Sequence, residues 1–107
     1  MYTLLGQMHL QRDRFQPALE ALNKALAKAK PEQRGQIDLL IGVAQLGQNN
    51  LDAAERAFTA ASGDKKVHDA AASYLKFLND QRQRKQIEEM LKAQAAELEG
   101  APKSGSL

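Results

Sequence analysis

Apolar positions recur at helical spacing along nearly the whole chain. From Tyr2 to about Arg12, Leu4, Leu5, Met8 and His9 fall on one helical face before Asp13-Arg14 interrupts the pattern. From Phe15 to Lys30, Ala18, Leu19, Leu22, Ala25, Leu26 and Ala29 form an i, i+3, i+4, i+7 stripe. Pro17 suits the first turn of that helix, and Lys24, Lys28 and Lys30 complement the negative end of its dipole. Pro31 either breaks the chain or opens the next helix, predicted over Glu32 to Leu46 with Ile37, Leu40, Ile41 and Ala44 on its inner face. Gly47-Gln48-Asn49-Asn50 reads as a turn, and a fourth helix spans Leu51 to Ala61, with Gly63 expected as its left-handed cap. A fifth helical region begins near Asp64 and carries Val67, Ala71, Tyr74, Leu75 and Leu78, then Ile87, Met90, Leu91 and Leu98. Asp80 and Gln83 fit a capping box that starts a separate helix, but one long helix with a solvated middle fits equally well. Residues 99–107 read as a disordered tail.

Composition supports an all-α class. Among 107 residues there are 18 Ala and 15 Leu, whereas Val and Ile are scarce and Trp is absent, so a β-rich core is not expected. The length fits one small domain. Without cysteine there is no disulfide scaffold, thiolate zinc site or cysteine nucleophile. The longest uncharged stretch, Leu39 to Leu51, is too short and too polar to span a bilayer, so no membrane insertion is expected. No signal-peptide pattern opens the chain, and the compartment, cytoplasmic or periplasmic, is not encoded. A formal net charge of +2 is mild for a nucleic-acid binder.

The chain repeats itself at a period of 36. Leu5-Gly6 aligns with Ile41-Gly42, and under that shift Phe15 meets Leu51, Ala18 meets Ala54, Leu22 meets Phe58 and Ala25 meets Ala61. Each copy reads as two antiparallel helices joined by a tight turn. Gly6 and Gly42 allow close approach of the second helix, Ala18 and Ala54 supply the matching small contact, Phe15 and Leu51 plug the turn, and Ala25 and Ala61 sit where the next unit packs. One hairpin cannot cover its own apolar face, so stacking is required.

These residues resemble the tetratricopeptide repeat (TPR) family. Tyr2, Leu5, Gly6, Phe15, Ala18, Leu22 and Ala25 match one repeat, with Pro31 one position late. Ile41, Gly42, Leu51, Asp52, Ala54, Phe58 and Ala61 match a second. Departures are His9 and Gln45 at the tyrosine position, Asp38 at the first aromatic and Lys66 at the proline. The resemblance implies TPR-like hairpins at 1–31 and 32–63, stacked as a short α-solenoid. Because Lys76 stands where a third repeat needs glycine, residues 64–98 are expected to be a capping segment. The helical start at Met1 suggests a piece from the C-terminal end of a larger, bacterial-type array.

Catalysis is not expected. His9 and His68 lie in different units without partners at metal-ligand spacing, and the seven glycines form no phosphate loop. Glu88-Glu89 point to different helix faces, and Ser62, Ser73, Ser104 and Ser106 lack a histidine arrangement. Neither metal nor cofactor is expected. The basic cluster Arg82, Arg84 and Lys85, with Lys76 and Lys92 nearby, is interleaved with Asp80, Glu88 and Glu89, so RNA contact ranks third among the functional readings.

The resemblance implies instead a concave groove lined by the first helix of each hairpin. The family's ligand-facing positions fall on Thr3, Gln7, Leu10 and Gln11, then on Gln36, Leu39, Val43 and Leu46, with Ser73 and Phe77 continuing the row. The Lys/Asn carboxylate clamp of some family members is absent. Leu39, Val43 and Leu46 form an apolar strip, to be covered by a ligand, by another copy or by the segment from Ile87 to Leu98. The function expected is thus a non-catalytic protein–protein interaction scaffold that binds a peptide or partner helix. Homodimerisation is the alternative.

Overall fold

The computed structural model describes residues 2–105, with side chains over 2–98. It contains five helices: α1 (Tyr2–Gln11), α2 (Phe15–Lys28), α3 (Pro31–Gly47), α4 (Leu51–Ala61) and α5 (His68–Gly105); no strand occurs among the described residues. The chain divides into two compact units, Met1–Lys76 and Phe77–Leu107. The protein is therefore all-α. α5 is a single continuous helix, which resolves the choice left open by Asp80 and Gln83. The tail expected over 99–107 falls on residues whose side chains lie outside those described, and 106–107 lie outside them altogether.

Local chemistry sets the helix ends. α2 stops at Lys28, two residues short of the sequence reading. Ala29 and Lys30 are both extended, and at Lys30 the following proline excludes the α region. Pro31 opens α3 as its first residue, where no N–H is needed. Behind it, the Lys30 N–H donates to Gln33 Oε1 at 3.2 Å while the Gln33 N–H donates to the Lys30 carbonyl at 2.9 Å. The loop before α5 is held by the Lys66 N–H donating to Asp64 Oδ1 at 2.9 Å. His68 adds a contact there, with Nδ1 2.8 Å from the Ser62 carbonyl oxygen.

The left-handed positions are not where the glycines suggested. Gly63 does not have a positive φ: the chain leaves α4 through right-handed turns, with Ser62 helical and the Gly63 N–H donating to the Ala60 carbonyl at 3.3 Å. The expected left-handed cap at Gly63 is therefore corrected. Asp13 (φ 57°) and Asn49 (φ 63°) are left-handed instead, and their short polar side chains tolerate it. These residues stand 36 apart. The hydrogen bonds around them follow the same offset: Asp13 N–H to Leu10 O (3.0 Å) and Asn49 N–H to Leu46 O (2.9 Å), Arg14 N–H to His9 O (2.8 Å) and Asn50 N–H to Gln45 O (2.9 Å).

In the first unit α1 packs on α2, α2 on α3 and α3 on α4, with a smaller α1–α3 contact. Ala18, Leu19 and Ala44 are buried together, flanked by Leu10 and Ile41. Leu22, Ala25 and Ile37 form a second cluster, joined by Tyr2, Leu26, Leu40 and others. Ala25 of α2 and Ile37 of α3 thus share one cluster. Ala54, Phe58, Ala61 and Ala71 are fully buried as well. By contrast, Leu4, Leu5 and Met8 of α1 are exposed.

The glycines act as seats. A Cβ at Gly6 would stand 2.6 Å from the Leu22 side chain, and one at Gly42 would stand 2.5 Å from the Phe58 ring. Ala18 contributes at Gly6 through its carbonyl oxygen, 3.5 Å from that Cβ position, so Leu22 rather than Ala18 fills the seat. Phe58 is fully buried, and its other contact is Tyr74 of α5, stacked at 4.6 Å between centroids and 1° between planes. Phe15 lies against Gly47, which places the first turn against the end of α3, and the Gln48 Nε2 donates to Gln16 Oε1 at 3.0 Å beside it.

In the second unit, residues 83–98 are exposed throughout. Their helix is rich in strong helix formers such as Ala, Leu, Glu, Gln, Lys and Arg.

Two glycine substitutions should differ sharply. Gly42→Leu forces side-chain atoms into the Phe58 ring and should cost about 1–3 kcal/mol or more. Gly63→Ala meets only the Ala60 carbonyl at 3.5 Å and should be neutral or add up to about 1 kcal/mol by restricting the unfolded chain. Thermal melts of both variants check this; a Gly42→Leu protein that melts like wild type removes the seat from the fold.

Candidate functional site

An open cleft of about 730 Å³ lies where three helices meet in the first unit. Tyr2, Thr3, Leu4 and Gln7 line it from the start of α1, Ala25, Lys28 and Ala29 from the end of α2, and Gln33, Gln36 and Ile37 from α3. The wall positions follow from helix register: Thr3 and Gln7 are one turn apart, as are Gln33 and Gln36. Pro31 fixes where α3 begins and so aims the second pair.

The cleft is chemically distinctive. Gln7 and Gln36 each offer a side-chain amide donor and acceptor, the complement that peptide groups require, whereas Gln33 Oε1 is already engaged by the Lys30 N–H. Leu4, Ala25, Ala29 and Ile37 supply apolar surface, and none of the lining residues is acidic. At its rim Lys24 and Lys28 reach over the Tyr2 ring, with Nζ 5.8 and 5.4 Å from the centroid. Such contacts are each worth roughly 0.5–1 kcal/mol at an exposed site, enough to orient the ring without burying it.

Of the residues expected to face a groove, Thr3, Gln7 and Gln36 come together in this cleft. Leu10 is half-buried and packs against Ala18, Leu19 and Ala44. Gln11 is exposed at the last turn of α1. Leu39, Val43 and Leu46 are half-buried on α3, outside the cleft lining. Ser73 is exposed on α5, and Phe77, also exposed, belongs to the second unit. Tyr2, Lys28 and Gln33 were not among the residues expected. Tyr2 was absorbed by the repeat pattern as packing, and Lys28 by the helix dipole. Gln33 carried a legible signal, since it shares a face with Gln36 once Pro31 is taken as the first residue of α3.

A second open cleft, of about 740 Å³, is lined by Glu32, Arg34, Gly35, Asp38, Asp64, Lys65 and Lys66 with their neighbours. Both charge signs alternate there, so no single ligand charge is selected. Asp64 lies across Gly35, which has no side chain to block it. Burial pushes the Asp38 carboxyl above the usual aspartate range, against the opposing pull of the Arg34 guanidinium. Among the described residues no three metal-ligating side chains converge, and no helix is long and apolar enough to cross a membrane. No protein-family model, curated protein or solved structure matches the chain.

Asp38 sets a pH dependence with a definite sign. Its folded-state pKa is raised, so the native protein holds this proton to higher pH than the unfolded chain does. The stability it contributes is complete below the ordinary aspartate range and lost as pH rises through the folded value. Asp38→Asn should therefore raise Tm near about pH 7, with the gain shrinking by about pH 3. Melts of both proteins at the two pH values test this; an equal or larger gain in acid contradicts it.

Proposed function

We propose that this chain is a non-catalytic, TPR-like interaction module that holds a peptide or partner helix in the cleft between α1 and α3. The observation that carries the reading is the convergence of Thr3, Gln7 and Gln36, from helices about thirty residues apart in sequence, on one open cleft rich in side-chain amides. A catalytic site needs a nucleophile, acid or base at the reacting atoms, whereas a peptide-binding surface needs amide donors and acceptors beside apolar patches. The cleft has the second set.

Repeat character supports the same reading. The turn geometry at Asp13 recurs at Asn49, and the seat Gly6–Leu22 recurs as Gly42–Phe58, each at an offset of 36. Hairpins joined in this way present the first helix of each pair side by side, which is how α1 and α3 come to share a cleft.

The test is a peptide-display selection against the full chain, repeated with Gln7→Arg/Gln36→Arg. Both residues lie outside the buried clusters, so the double variant should melt within a few degrees of wild type. Peptides retained by wild type should lose at least about tenfold in affinity, equivalent to about 1.4 kcal/mol. Peptides that bind both proteins equally place the binding surface elsewhere.

A further inference from the structure

The second hairpin shows what covers a face that α1 leaves bare. Leu4, Leu5 and Met8 lie within about 100° of one another around α1, at roughly 100° per residue. They are 62, 41 and 46% exposed. At the 36-residue offset, Leu40, Ile41 and Ala44 occupy the same arc of α3. There α2 covers the arc. Ala44 is fully buried in one cluster with Ala18 and Leu19, and Leu40 and Ile41 pack against the cluster of Leu22, Ala25 and Ile37. The two helices share register at the glycine seat and at the left-handed turn that follows them. Three large apolar side chains contiguous on one face mark an association surface, and α3 shows what such an arc receives.

The same correspondence specifies the occupant. On α2 the covering residues are a narrow stripe of alanine and leucine, Ala18, Leu19, Leu22 and Ala25. Met8 stands where α3 has Ala44, and its flexible side chain adapts to a small residue opposite. Beyond the arc, Gln48 Nε2 donates to Gln16 Oε1 of α2 at 3.0 Å. The residue equivalent to Gln48 is Arg12, which is exposed and is the one formally charged residue over 2–12. A guanidinium only donates and pairs most strongly with a carboxylate, so the complementary helix carries an acid where α2 has Gln16. A second copy of this chain has no such helix to give. Its α2 is packed on α3, and its α4 is closed by Phe58, fully buried and stacked on Tyr74. Two copies paired through α1 would set Arg12 against Arg12 if parallel, and against the acid-free start of α1 if antiparallel.

We propose that the Leu4, Leu5 and Met8 face of α1 is a docking surface for an amphipathic helix of a partner protein. That helix presents an alanine–leucine stripe of the α2 kind, with a carboxylate ahead of the stripe for Arg12. It runs antiparallel to α1, as α2 does to α3, where Ala18 lies with Ala44 and Ala25 with Ile37. The surface lies beside the cleft and shares Leu4 with its lining, but it does not use the amides of Gln7 and Gln36.

The probe is a labelled synthetic peptide of residues 13–30 carrying Gln16→Glu, titrated against the full chain by fluorescence anisotropy at low salt, with a Gln16→Lys peptide beside it. The preference for the first peptide over the second should fall at least about threefold when the protein carries Arg12→Glu. The cost of ordering each peptide as a helix cancels from that comparison. Met8→Lys should weaken the Gln16→Glu peptide at least about tenfold, because the lysine is buried without a partner, while circular dichroism of the protein stays unchanged. Gln7→Arg/Gln36→Arg should leave the affinities as they are. The proposal fails if the Gln16→Glu peptide does not bind up to its solubility limit, or if Arg12→Glu leaves the preference unchanged. It fails too if Gln7→Arg/Gln36→Arg loses the peptide as fully as Met8→Lys does, which places the peptide in the cleft. Sedimentation of the chain alone is the last arm: a dimer that Met8→Lys dissolves makes the occupant a second copy and overturns the proposal.

Discussion

The first unit depends on two places where a helix has no side chain and its neighbour has a large one. Leu22 sits against the backbone at Gly6 and Phe58 against the backbone at Gly42, at separations that no Cβ could share. Close approach of this kind brings each helix pair together along its length and lets Ala18, Ala25, Ala54 and Ala61 pack as small residues. With so few aromatic and β-branched residues, the core gains its density from proximity rather than bulk. Phe58 is the exception. As one of three fully buried large side chains among the described residues, it links α3, α4 and the start of α5 by touching Gly42 on one side and stacking on Tyr74 on the other.

Helix positions were legible in the sequence because the apolar stripes of α2 and α4 are strong and bounded. Phe15, Leu51 and Ala61 fall at helix ends in both the reading and the structure. The turn conformations were harder to read. Glycine permits a positive φ without requiring it, so Gly63 misled, while Asp13 and Asn49 gave only the weaker signal of short polar residues in a turn. Periodicity alone does not decide burial in α1. Leu4, Leu5 and Met8 have helical spacing but remain exposed, since spacing identifies a face without saying what covers it.

The candidate cleft was legible in part for a related reason. Thr3, Gln7 and Gln36 were named through the family resemblance, which places the first helices of successive hairpins side by side; the 36-residue offset alone would pair Thr3 and Gln7 with Leu39 and Val43. Tyr2, Lys28 and Gln33 depend on where α2 stops and α3 starts, and that hinges on the extended residues before Pro31. A two-residue change in a helix end rotates the next side chains by more than half a turn. Spacing alone cannot carry a binding site across such a joint.

The succession of helices in the first unit has a kinetic consequence. Each helix packs chiefly on the one before it and the one after it, and the turns at Asp13 and Asn49 close over three residues each. Native contacts are therefore local in sequence, and little chain must be looped before any of them forms. Domains with such low contact order acquire their structure within microseconds to milliseconds, leaving apolar surface uncovered only briefly during synthesis.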